Sequence, residues 1–219
     1  DITDSRAVTF VLEGDASGIN LANGLIPGET DLPQTSGNGR LRIEHTDKPM
    51  WTRVTGLVQD GHIEIMPFDA CEIDVEATPA GVQFNHVDLR HRDLRAILTG
   101  AADSLSVFDG NLSFAANDLG TLPAEWNWPA MGGRASGELA VSGPLEALAL
   151  AGTVTAGDIE LGPARTSYLI ANVEIADALG SPRFSGAVAG DSLRMGGVPL
   201  GNYRAFGSAD AAGARRTRR

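Results

Sequence analysis

The sequence predicts a mostly β, elongated protein assembled from tandem repeats, and three observations predict it. Apolar residues recur at every second position through most of the chain. Turn signals rich in Gly and Pro interrupt these runs at intervals of roughly ten residues. A segment of the first half is echoed in the second at constant spacing.

The alternation begins with Val8, Phe10 and Leu12 and continues through Leu41 and Ile43, Ile63 and Ile65, and Ile73 and Val75. It resumes with Val82 and Phe84, Leu112 and Phe114, Leu139 and Val141, Leu148 and Leu150, and runs from Leu169 to Ile175. A period of two places every second side chain on one face of a strand. "TPAG", "SGP", "AGD" and "LGSP" separate the runs. With 27 glycines and only 5% aromatic residues, the composition suits many short strands and turns better than a helical bundle. Two stretches depart from the pattern. "RDLRAILTGAADSL" spaces Leu94, Ile97, Leu98 and Ala101 as a short helix or strand-end turn would, with Asp93 as its N-cap. "NDLGTLPAEWNWP" reads as an irregular crossing.

The echo sets Gly56, Gly61 and Pro67 against Gly152, Gly157 and Pro163 at one offset of 96 residues, and a weaker third copy begins at Gly186. Tandem units of this kind stack in one direction, each burying its apolar face against its neighbours. The expected organisation is a first repeat over 1–116, a second over 117–210 that continues the same sheet, and a basic tail over 211–219.

Charge excludes one class of partner. The net charge is −11, and with the four arginines of 215–219 set aside the rest carries about −15, so nucleic acid lacks the basic face it needs. The tail "ARRTRR" reads as a linker or the cut end of a longer chain. Cys71 is the single cysteine, which rules out an intramolecular disulfide and a cysteine zinc site. No apolar run is long enough to span a membrane as a helix.

Each candidate for chemistry has a simpler reading. "GDSL" at 190–193 spells a serine-esterase signature, but no histidine follows His91 to activate Ser192. The Gly190-Asp191 pair reads instead as a turn equivalent to Gly157-Asp158. His86 and His91 lie near Asp88 and Asp93, yet a spacing of five on a strand puts the two imidazoles on opposite faces, whereas a metal needs its ligands converging. Trp126 and Trp128, at alternate positions, could stack on a sugar ring, but a packed corner or a rim plug is the simpler reading. Asp69, Glu72, Asp74 and Glu76 alternate with Cys71, Ile73 and Val75 as a solvated outer face. No catalytic residue, metal or cofactor is expected, and the chain is not read as an enzyme.

The order of an "NDLGTLP" segment (117–123), then "GELAVSGPLEALALAGTVTAGDIELG" (137–162), then a further strand resembles the repeat grammar of the TamB and AsmA-like proteins of Gram-negative envelopes, over about residues 17–210. The likeness is a rhythm of Gly and apolar residues, shared by TamB, YdbH and YhdP types. It implies a long sheet curled into an open apolar groove, anchored in the inner membrane, crossing the periplasm and moving phospholipid toward the outer membrane. It also implies, as an alternative, a scaffold that assembles outer-membrane or secreted β-barrel proteins, with an outer-membrane barrel protein as partner of the full-length chain. This chain would be an interior slice of such a protein. Acyl chains are the expected ligand. A methylene costs about 0.8 kcal/mol in water, so a lipid of about 30 methylenes faces a barrier on the order of 20 kcal/mol that an apolar trough removes. Alternation and resemblance together nominate Ile63, Ile65, Ile73, Val75, Leu139, Val141, Leu148, Leu150, Ile159 and Leu161 as the lining, with Glu64, Glu72, Asp74 and Glu160 facing water. Ser192→Ala is expected to leave hydrolysis of an activated ester at background; a Ser192-dependent burst would restore the esterase reading.

Overall fold

Residues 9–17, 35–63, 66–122, 130–178 and 181–210 are described in the computed structural model, and 83% of them lie in strands. The strands are β1 (Thr9–Ala16), β2 (Thr35–Asp47), β3 (Met50–Ile63), β4 (Met66–Thr78), β5 (Gly81–His91) and β6 (Leu94–Asp103). They continue as β7 (Val107–Ala116), β8 (Met131–Pro144), β9 (Ala149–Leu161), β10 (Ala164–Ala176), β11 (Arg183–Met195) and β12 (Val198–Asp210). Short 3-10 turns occupy Leu119–Thr121 and Leu145–Ala147. No helix among the described residues is long and apolar enough to cross a membrane.

All twelve strands form one antiparallel sheet in sequence order, curled but not closed into a barrel. Each strand packs chiefly on its two chain neighbours, so order is built locally, hairpin by hairpin. The turns show why. Two-residue hairpin loops match the sheet's twist when φ is positive, and Gly196 and Gly197 take φ 56° and 87° between β11 and β12. Arg92 takes φ 49° between β5 and β6, where its N–H donates to Asp69 Oδ2 at 2.5 Å and the Asp93 carbonyl accepts from Asn117 N at 3.0 Å.

The sheet runs unbroken across the expected repeat boundary, because β7 pairs with β8 from Val107↔Pro144 to Ala116↔Ala135. The two glycines matched in the sequence echo fall in one cross-strand row. Gly56 sits between Leu41 and Ile73, and Gly152 between Leu139 and Val173. The copies then drift, since Pro67 lies within β4 whereas Pro163 follows the end of β9.

The short helix or strand-end turn expected near Asp93 is replaced by a strand: residues 94–103 are β6. Leu94 and Leu98 are four apart, a spacing that shares a face in a helix and also in a strand, so the pair could not discriminate. Ile97 carried the helical signal. It pairs with Asp88 on the polar face, while Leu98 pairs with Val87 and Leu112 on the apolar one.

The polar face is held by cross-strand ion pairs. Arg53 donates from Nε and Nη2 to Asp74 at 2.9 and 2.7 Å, and Arg42 reaches both Glu44 and Glu13. The centre of this face is Asp88, only 1% exposed. It accepts from Arg95 (Nε 3.0 Å, Nη2 2.9 Å) and from Arg90 (Nη2 2.6 Å, Nε 3.1 Å). The hydrogen bonds from Arg95 and then Arg90 outweigh burial and hold its carboxyl down at about 2. A depressed carboxyl stabilises the fold above its unfolded value near 3.9 and loses that contribution as pH falls toward 2. Asp88→Asn is expected to lower unfolding free energy by about 2 kcal/mol at pH 7. In urea titrations repeated at lower pH the gap to the parent should close between about pH 4 and pH 2.

Candidate functional site

Antiparallel partners present their side chains on the same face, so chaining the pairs across the sheet shows what each face is made of. One row reads Leu12, Ile43, Val54, Val75, Phe84, Gly100, Gly110, Val141, Leu150, Ile175 and Phe184. The next reads Gly14, Leu41, Gly56, Ile73, Val87, Leu98, Leu112, Leu139, Gly152, Val173, Gly186 and Gly207. A third reads Gly39, Val58, Cys71, Leu89, Ala96, Phe114, Gly137, Val154, Ala171, Val188 and Ala205. No charged or hydrogen-bonding side chain apart from the Cys71 thiol interrupts the three rows. A fourth runs from His91 through Leu94, Ala116, Ala135, Ala156, Leu169 and Gly190 to Tyr203. At ~4.8 Å between strands and ~3.3 Å per residue, the apolar face is roughly 50 Å long and 20 Å wide.

Burial grades along this face. Val54, Val58, Phe68, Cys71 and Ile73 form one buried cluster, and Ala102, Phe108 and Val141 a second. Phe84 and Phe108 meet edge to face with ring centroids 5.6 Å apart. Gly100 and Gly110 pair directly, and a Cβ on either would strike the Phe108 ring at 2.7 Å, so the two glycines make room for the aromatic. Beyond β9 cover falls away: Ile175 and Val188 are half-buried and Phe184 is exposed.

Of the nominated lining, Ile73, Val75, Leu139 and Val141 are buried on this face. Leu150 is half-buried in the row of Val141, Leu148 packs on the second cluster and Ile63 on the first. Ile159 is half-buried opposite Thr166, while Leu161 is exposed. Ile65 and Glu64 lie outside the described residues, as do Trp126, Trp128 and the tail. Glu72 and Glu160 are exposed, and Asp74 is engaged by Arg53. The nomination omitted Phe84, Leu98, Phe108, Phe114, Val173, Ile175, Phe184 and Val188. Phe84 and Phe114 stood in plain alternation; Leu98 was hidden by the helical spacing around it.

Two sequence readings are corrected. Gly157-Asp158 and Gly190-Asp191 are not turns; they lie inside β9 and β11, where Asp158 and Ser192 adopt φ 53° and 54°. The pairing of β11 with β12 shifts between Gly190 and Leu193, and that of β8 with β9 between Gly132 and Arg134. These are bulges, which bend a strand and tighten its twist. The buried Thr166 hydroxyl serves the bulge in β11, donating to the Asp191 carbonyl at 2.6 Å, with the Tyr203 hydroxyl 3.5 Å from its oxygen. "GDSL" is therefore a bulge motif here, with Ser192 exposed.

Burial pushes the Cys71 thiol up to about 11, so it stays protonated at neutral pH. His91 closes the fourth row, buried, with Nδ1 3.1 Å from Asp69 Oδ1. On the opposite face Glu72, His86 and Asp88 bring ligand atoms within 4.8 Å of one another. Both Asp88 oxygens are already engaged by guanidinium groups, and two cations at the same carboxylate oppose a third. A shallow depression of about 500 Å³ beside them is lined by Arg95, Ser113, Glu138, Thr153 and Thr155, a hydroxylated surface without a nucleophile–base pair.

No protein-family model, no curated protein and no solved structure matches the chain. Cys71 offers a direct probe of the packed end of the face. Its thiol is expected to resist an aromatic disulfide reagent at pH 8 in native protein and to react within seconds in denaturant. Rapid native labelling would show an open trough at β4.

Proposed function

We propose that the apolar face holds acyl chains and that the protein is a segment of a periplasmic, inner-membrane-anchored β-groove that conducts phospholipid between the inner and outer membranes. The observation that carries this reading is the three rows, each spanning at least eleven strands with nothing but Gly, aliphatic, aromatic and one thiol side chain. A globular core needs an apolar patch; it does not need one drawn out along the whole sheet. Lipid passage does, because every gap exposes methylenes at about 0.8 kcal/mol each. Small side chains serve passage, since they offer contact without a deep pocket that would fix one position. The resemblance to TamB and AsmA-like proteins supports the same assignment and its location. Among the described residues β1 and β12 are the edge strands of the sheet, which supports the second reading, a scaffold that lends a sheet edge to an incoming strand of a barrel protein.

Photo-crosslinkers separate the readings. Phe184 and Ser185 are adjacent and both exposed, but Phe184 lies in the apolar row and Ser185 on the polar face. With phospholipid present, a crosslinker at 184 should capture lipid at least fivefold more than one at 185, and 159 more than 160. Native mass spectrometry should find phospholipid retained. Equal capture on both faces removes the groove and leaves the scaffold. Val188→Arg should be tolerated, because the half-buried site lets the guanidinium reach water. Ile73→Arg should unfold the β2–β5 end, costing several kcal/mol.

A further inference from the structure

Charge is distributed unevenly along the chain. Residues 183–219 contain seven arginines and two aspartates, whereas the 182 residues before them contain 10 basic and 26 acidic residues. The imbalance is sharper in space. From Arg40 to Arg165 every described arginine except Arg92 reaches a carboxylate. Arg183, Arg194 and Arg204 make no ion pair among the described residues, and all three are exposed. They occupy β11 and β12, the last two strands of the sheet.

The same strands carry apolar side chains that are exposed among the described residues. Phe206 is 82% exposed, Val198 59% and Leu200 58%, all on β12, with Met195 exposed across the hairpin. Phe206 pairs with Ala187 and Arg204 with Ala189 on the polar side of the sheet, outside the three apolar rows, whereas Met195 and Val198 end a short apolar row with Met131, Leu161 and Ala164 at the hairpin. Bulky apolar groups beside arginines that make no ion pair among the described residues are the chemistry of a bilayer interface, where the side chains enter the headgroup region and the guanidinium groups meet phosphate. The nine residues that follow β12 in the sequence add four arginines and no acid, which continues the basic character past the strand. Among the described residues β12 is an edge strand, whose outer backbone groups hydrocarbon would penalise; at headgroup level water satisfies them.

We propose that the β11–β12 edge is a docking surface for an anionic lipid bilayer, which it meets at the headgroup level. This edge borders the acyl-binding face, and its docking, which rests on the arginines and the exposed Phe206, stands whether or not that face conducts lipid.

Flotation of the full chain with vesicles tests it. Binding to vesicles of phosphatidylcholine with 30% phosphatidylglycerol should exceed binding to phosphatidylcholine alone at least tenfold, and should fall in 0.5 M salt. The triple substitution Arg183→Gln, Arg194→Gln and Arg204→Gln should weaken binding at least fivefold, and Leu200→Ser with Phe206→Ser by a similar factor. All five sites are exposed, and an unchanged far-ultraviolet spectrum shows the sheet intact; should the double variant unfold, the triple still decides. Absence of flotation, equal binding to neutral vesicles, or binding that the triple variant leaves intact overturns the proposal. So does a dimer in solution that the Leu200 and Phe206 substitutions dissolve without any vesicle binding, which would give the edge to a second copy of the chain. Protein that floats yet captures no lipid at position 184 keeps this docking and loses the groove; the reverse pattern keeps the groove alone.

Discussion

Every other property of the sheet depends on phase. Side chains alternate along a strand with a period of two, so slipping one hairpin by a single residue would send that strand's entire apolar set to the polar face. Twelve strands keep Leu, Val, Ile, Phe and Gly on one side because eleven consecutive pairings preserve that phase. Where the chain carries an extra residue, the extra residue is absorbed locally. The pairing of β5 shifts between Phe84 and Val87, and this step returns Val87 and Leu89 to the apolar face after Asn85 and His86. Asp158 and Ser192 play the corresponding part in β9 and β11 with left-handed backbones.

Phase also explains how a single layer is held together. With packing confined mainly to chain neighbours, stability is close to a sum of hairpin contributions. The polar face adds its share through register: Arg53 meets Asp74, and Arg90 and Arg95 share Asp88, because pairing brings residues from adjacent strands side by side. The apolar face adds the burial of Val58, Ile73 and Val75 at one end and of Phe108 and Val141 in the middle. Toward β12 both contributions thin out, and arginines and large apolar side chains are left exposed together.

Strand content and the identity of the apolar face were legible in the sequence because alternation is a local signal. The nominated Ile73, Val75, Leu139 and Val141 needed no partner to be read correctly as one-sided. What was not legible depended on register. In "DLRAILTG" the four-residue spacing of Leu94 and Leu98 fits a helix and a strand alike, and Ile97, an apolar residue on the polar face, tipped the reading toward a helix. Nothing in "GDIE" or "GDSL" says that the chain continues as a strand past a left-handed residue, so both were read as turns. The clamp on Asp88 was hidden as well: Arg95 lies seven residues away, across a hairpin whose second strand was read as helical. The grading of burial, from Val58 at 1% to Phe184 nearly half exposed, was equally out of reach, since both are plain apolar members of alternating runs.

The strictly sequential strand order has a consequence for how such a molecule changes length. Strand direction reverses at each turn, so β1 and β12 run antiparallel, and β3 and its echo β9 point the same way. Loss or duplication of a hairpin removes or adds two strands, restores direction at the junction and rejoins the apolar rows. Loss of one strand leaves two parallel neighbours with only a tight turn between them, too short for the crossover that parallel pairing requires. Growth is therefore quantised in pairs. The six-strand interval between Gly56 and Gly152 obeys that rule, and an ancestral duplication of three hairpins would produce it without disturbing a single row.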